Sequence, residues 1–145
     1  MSYLGVKESL KVATPKEHEI LLIAVSKMQS IEAIKSVYAL GQRDFGENYI
    51  QELKEKATAL KEACPEINWH FIGALQSNKI AQLIRIEGLK AIQTVDSLSK
   101  FDKIWKAIHD HPESFNKSID LFLQVFKENS YKVIFTHSFL LLFLY

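Results

Sequence analysis

The sequence predicts an α/β fold in which parallel strands alternate with helices. Three observations point there. Short runs of branched apolar residues recur along the chain, amphipathic stretches with apolar residues at steps of three and four lie between them, and the connections are brief. Residues 20–25 form the first apolar run, the mark of a strand buried on both faces, and Ser26 and Lys27 end it. Ser30 can cap a helix carrying Ile31, Ile34, Val37 and Tyr38, which Gly41 stops.

The same unit then repeats. Residues 43–45 read as a short strand ending at Gly46, and Ile50, Leu53, Ala57 and Leu60 as the stripe of a helix closed by Cys64 and Pro65. A third strand covers residues 68–72, a loop 73–77, and a helix with Ile80, Leu83 and Ile84 ends near Gly88. A fourth strand covers 90–95. After Asp96 and Ser97 a helix presents Leu98, Phe101, Trp105 and Ile108 on one face, with His111 and Pro112 as the stop. Residues 119–125 give a fifth strand. Short alternation of this kind implies right-handed crossovers between parallel strands. Periodicity alone does not separate an open doubly wound sheet from part of a (β/α)8 barrel, but both put chemistry at the carboxyl ends of the strands.

Composition narrows the function classes. A chain of 145 residues is one domain by length, and a net charge of +1 gives no field that would recruit nucleic acid or an anionic membrane. Cys64, the single cysteine, has no internal disulfide partner, and residues 1–20 lack the pattern of a secretory signal, so a cytoplasmic setting is expected. The tail differs from the rest: Lys127, Glu128 and Lys132 are its only charged residues after position 120, while Phe122, Phe126, Tyr131, Phe135, Phe139, Phe143 and Tyr145 crowd into it. Its apolar end, residues 139–145, is well short of the roughly 20 residues that span a bilayer.

Four polar clusters fall at strand ends: Ser26 with Lys27, residues 46–49, residues 73–79, and Asp96 with Ser97. Lys27 is either a solvated loop lysine or an amine held in a partly desolvated mouth, where it becomes nucleophilic toward aldehydes. Asn48 can hydrogen-bond a ring substituent, and Glu47 is a general base or a favourable acid at a helix start. His70, inside an apolar strand, reads as a hydrogen-bonded core residue, and no histidine pairs with Cys64 at zinc spacing. Gln76, Ser77, Asn78 and Lys79 put donors at a helix start, although Gly73 alone makes no phosphate-binding fingerprint.

Three motifs in order are more specific than any single residue. Leu22-Ile23-Ala24-Val25-Ser26-Lys27, then Gly41-Gln42-Arg43-Asp44-Phe45-Gly46-Glu47-Asn48-Tyr49-Ile50-Gln51-Glu52, then Trp69-His70-Phe71-Ile72-Gly73-Ala74-Leu75-Gln76-Ser77-Asn78-Lys79 resemble the pyridoxal phosphate homeostasis protein family, with Thr94 to Ser97 and Leu123-Gln124-Val125 extending the match. The resemblance implies a barrel of the alanine racemase N-terminal type that binds pyridoxal 5'-phosphate. Lys27 matches the family's Schiff-base lysine and Asn48 an asparagine near the cofactor ring. His70, Gly73, Gln76, Ser77, Asn78 and Lys79 are then expected as support around the same barrel mouth. Family members are cofactor carriers or regulators of vitamin B6 pools, so the resemblance implies binding and not turnover, with an amino-acid racemase-like enzyme or an inactive truncated fragment as the alternatives.

Departures from the family shape the remaining expectations. Met28-Gln29-Ser30 stands where the family usually has proline, and the pattern is lost after Val125. Residues 1–125 are therefore expected to be the first part of a barrel, about five strands and four helices. Residues 126–145 are expected to be an atypical tail arising from truncation or a frameshift. Because the family's phosphate-binding positions lie in its distal half, weak cofactor retention is expected, and open barrel edges offer self-association.

Overall fold

Helix caps and branched apolar runs set the order of elements in the structure, a computed structural model that describes residues 2–13, 20–110, 118–127 and 130–133. The order is α1 (Tyr3–Ala13), β1 (Ala24–Val25), α2 (Ile31–Ala39), β2 (Asp44–Glu47), α3 (Ile50–Leu60), β3 (Asn68–Phe71), a 3-10 turn (Ser77–Lys79) with α4 (Ile80–Leu83), β4 (Leu89–Val95), α5 (Leu98–His109), β5 (Asp120–Lys127) and β6 (Ser130–Val133). Ser30 caps α2 by accepting from the Ala33 N–H at 3.2 Å, and Ser97 caps α5 from the Lys100 N–H at 3.4 Å. Gly41, at φ +92, takes the left-handed step past the end of α2.

Strands β1 to β5 pair in parallel in the sequential order β1-β2-β3-β4-β5. A doubly wound sheet reverses its strand order, whereas sequential right-handed crossovers leave every helix on one face, as in a barrel wall. The helices accordingly pack side by side, α2 on α3, α3 on α4 and α4 on α5. This settles the architecture as α/β and part of a barrel. Register then sorts the side chains. Ala24, Phe45 and Trp69 share the face under the helices and belong to the core, while Val25, Gly46, His70 and Ala91 share the inner face.

Several elements differ from the sequence reading. The β1 ladder is only two residues long because the Gln42 side chain takes over upstream: its Nε2 donates to the carbonyls of Leu22 and Asp44, each at 2.6 Å. Helix α1 is unforeseen. It buries Val6, and its Tyr3 Oη donates to Gln42 Oε1 at 3.0 Å, which seats the helix at the amino end of β2.

The apolar face of α5 is rotated from the expected one. Ile104 is fully buried, with Phe101 and Ile108 beside it, but Leu98 is 76% and Trp105 55% exposed. Trp105 instead stacks on the rings of Phe101 and His109 at the surface. The expected stop at residues 111–112 lies outside the described residues. In the tail, β6 runs antiparallel along β5, pairing Gln124 with Val133 and Lys127 with Ser130, and residues 134–145 lie outside the described residues. Among the described residues no helix is long and apolar enough to cross a membrane.

Candidate functional site

The carboxyl ends of β1, β2 and β3 converge through backbone bonds that run past the strands. The Ser26 N–H donates to the Gly46 carbonyl at 2.9 Å, and the Ile72 N–H to the Glu47 carbonyl at 2.9 Å. Lys27 follows directly, half-buried, and Met28 beyond it adopts φ +59. Val25 pairs with Gly46, and Lys27 and Asn48 each come two residues later, just past the ends of β1 and β2. The Asn48 Oδ1 is buried and has no hydrogen-bond partner. A buried acceptor left unpaired costs about 1–3 kcal/mol.

Gly73 is at the same place for a steric reason. A Cβ there would overlap the Asn48 carbonyl, so only glycine lets the end of β3 approach the end of β2. The Gly73 carbonyl in turn accepts from Thr94 Oγ1 on β4. His70 lies deeper on the inner face, with Nε2 2.9 Å from Asp44 Oδ1 and Nδ1 3.1 Å from Gln93 Nε2. Both ring nitrogens are engaged, as expected for a core histidine. Gln76, Asn78 and Lys79 are exposed and Ser77 is half-buried in the turn before α4. Asn78 lines a groove with Lys54 and Thr58 of α3 and Lys61 just past its end, on the helix side of the sheet. The structure thus brings Asn48 and Gly73 together at the strand ends, past which Lys27 also lies, and sets Asn78 apart on the helix side.

On the helix side of the same strand ends is a charged cluster. Glu47 is 0% exposed, and its Oε1 accepts from Ser26 Oγ at 2.6 Å and from Lys56 Nζ at 2.8 Å, while its Oε2 has no partner. Burial pushes the Glu47 carboxyl above its ordinary value, and the bonds from Lys56 and Ser26 pull the other way. Among the described residues there is no group of three His, Cys, Asp or Glu side chains that could hold a metal ion.

No family model matches the chain. Individual proteins do. The pyridoxal phosphate homeostasis protein of Caenorhabditis elegans is 47% identical over 87 residues, 58% of this chain and 36% of the relative. That of Schizosaccharomyces pombe is 34% identical over 106 residues, 73% of this chain and 42% of the relative. Among solved structures, PipY of Synechococcus elongatus with PLP bound superposes with a TM-score of 0.68 at 36% identity, covering 82% of this chain and 52% of that one. The same protein without PLP gives 0.70 at 31% identity, covering 95% and 59%.

The chain is a relative of the pyridoxal phosphate homeostasis proteins. It spans less than half the length of these two curated relatives.

For this pyridoxal phosphate homeostasis relative, the sequence reading left out two residues beside the site, Glu52 and Lys56. Lys56 carried a usable signal. It is three residues past the buried Leu53 and one before Ala57, so it falls on the buried side of α3, and it lies one helical turn after Glu52. A charge on a buried face needs a partner, and Glu47 supplies it.

Proposed function

We propose that this chain binds pyridoxal 5'-phosphate as a carrier in the homeostasis of that cofactor, with Lys27 as the attaching amine and Asn48 beside the ring. The observation that carries the reading is the pairing at one strand end of a half-buried lysine with a buried, unpartnered Asn48 Oδ1. A pyridine ring bearing a hydroxyl and an aldehyde suits both groups. When bound, the cofactor would supply an aldehyde, a group that reacts with amines, and Lys27 would be the amine that holds it. Asn48 would orient the ring. Gly73 keeps the ends of β2 and β3 close enough for Asn48 to hold its place.

A binding role accords with relatives named as homeostasis proteins. A cytoplasmic setting accords with the buried, unpaired Cys64. Gln76, Ser77 and Lys79 belong to this reading as outer support and His70 as inner support, whereas Asn78, turned to the groove beside α3, stands outside it.

An absorbance titration with pyridoxal phosphate tests the reading. The native chain is expected to develop the long-wavelength band of cofactor condensed on an amine, and Lys27→Ala to lose it. Equal bands in the two proteins would sink the assignment of Lys27. Racemisation of an amino acid by the loaded native chain would replace the carrier reading with an enzymatic one.

A further inference from the structure

Two residues of α3 hold the backbone on both sides of Lys27. Lys56 Nζ directs its three donors to the Ser26 carbonyl at 2.6 Å, Glu47 Oε1 at 2.8 Å and Glu52 Oε1 at 2.6 Å. Glu52 Oε1 also accepts from the Met28 N–H at 2.6 Å. The Ser26 carbonyl belongs to the peptide unit before Lys27 and the Met28 N–H to the unit after it. Both peptide units that carry Lys27 are therefore tied to the same helix.

Met28 shows what these ties hold. At φ +59 it is the sole non-glycine residue in the left-handed region among the described residues, and its side chain is 83% exposed, so no packing fixes it there. L side chains disfavour this conformation, which persists only where the surroundings over-determine it. Two bonds restrain it: the turn bond from the Gln29 N–H to the Ser26 carbonyl at 3.0 Å, and the bond from its own N–H to Glu52, which ties the turn to α3. Stability alone is a weak reason for the cluster, because replacing a whole buried ion group by apolar residues of the same volume is often neutral.

We propose that Glu52 and Lys56 are positioning residues that hold Met28 in its left-handed turn and thereby aim the Lys27 amine toward Asn48. The inference rests on the reading of Lys27 as the cofactor's amine. It adds that the capture rate at Lys27 is set from α3, by groups that never touch the cofactor.

The test uses the full 145-residue chain and two readouts: the rate at which pyridoxal phosphate becomes borohydride-trapped on Lys27, followed by peptide mass, and hydrogen–deuterium exchange of the Met28 amide. Glu52→Ala is expected to slow trapping at Lys27 by at least about tenfold, the scale of a small misplacement of a reacting group. Trapping on the exposed Lys35 in the same samples stays unchanged. The Met28 amide, protected in the native chain, exchanges faster in the variant. Glu52→Gln keeps the acceptor oxygen and stays near the native rate, and Met28→Gly added to Glu52→Ala restores part of the loss, because glycine takes a positive φ without a restraint. Should Glu52→Ala fail to fold, Glu52→Asp draws the oxygen back by one methylene and carries the same expectation. A Lys27 rate within about twofold of native in a folded variant overturns the proposal. A native chain that traps nothing on Lys27 instead overturns the reading of the site, and this inference with it.

Discussion

Replacing Lys56 by methionine removes the cation on which the buried carboxylate depends. Glu47 would keep its bond from Ser26 Oγ, but its Oε1 would lose the ammonium and its Oε2 is already unpartnered. The Ser26 carbonyl and Glu52 would lose bonds of 2.6 Å each. Breaking a buried pair by removing one partner costs about 3–5 kcal/mol. The lower end applies here, because Glu52 is partly exposed and can turn to water. A loss of about 3 kcal/mol at pH 7 lowers Tm by roughly 10 °C for a domain of this size.

Acidity should change that cost in a definite direction. Burial has already raised the Glu47 pKa above its unfolded value, so this group favours folding below about 4.5 and loses that contribution as pH rises through its folded value. Without Lys56 the folded value rises further. The gap between Lys56→Met and the native chain is therefore largest near neutrality and shrinks as pH falls toward 5. Urea unfolding followed by circular dichroism at several pH values measures it, and the double variant Lys56→Met/Glu47→Gln should recover part of the loss. A gap below about 1 kcal/mol, or one that does not change with pH, would refute the account of a desolvated carboxylate held by one ammonium.

Two further predictions follow from the packing. Gly73→Ala places a Cβ against the Asn48 carbonyl and forces the β2 and β3 ends apart, so it should cost about 1–3 kcal/mol by urea unfolding and weaken pyridoxal phosphate binding in a titration. Ile104→Ala should destabilise by about 2–5 kcal/mol, whereas Trp105→Ala, at a largely exposed position, should cost much less; the reverse ranking in thermal melts would show that the buried side of α5 is misassigned.

The parts of the fold visible in the sequence are those where one local rule decides. Ser30 and Ser97 act as the caps they resemble, and the stripe Leu53, Ala57 and Leu60 is buried as its spacing requires. The barrel itself was not decided by periodicity. It follows from strand order, which depends on pairing between segments far apart in the chain. The α5 stripe misled because Phe101 and Ile108 do face the core, and an aromatic at 105 reads equally well as buried or as stacked on the surface. Helix α1 escaped because it buries little besides Val6.

The candidate site divides in the same way. Lys27 and Asn48 are legible as polar residues just past apolar strands, and the role of Gly73 becomes clear only once the Asn48 backbone is seen against it. Glu47 carries no sequence sign of complete burial, since a carboxylate at the end of a strand reads as a solvated group. The α3 cluster is legible only as a helical pair, Glu52 and Lys56, until Ser26 and Met28 are brought to it across the fold.

The central claim is that Lys27, at the end of β1, is the amine that takes the cofactor. Borohydride reduction of the native chain mixed with an equimolar amount of pyridoxal phosphate, followed by peptide mapping, tests it most directly. The account predicts a single labelled site at Lys27, with the label reduced by Asn48→Ala. Label spread among the exposed lysines, with Lys27 no more modified than Lys35 or Lys79, would contradict it.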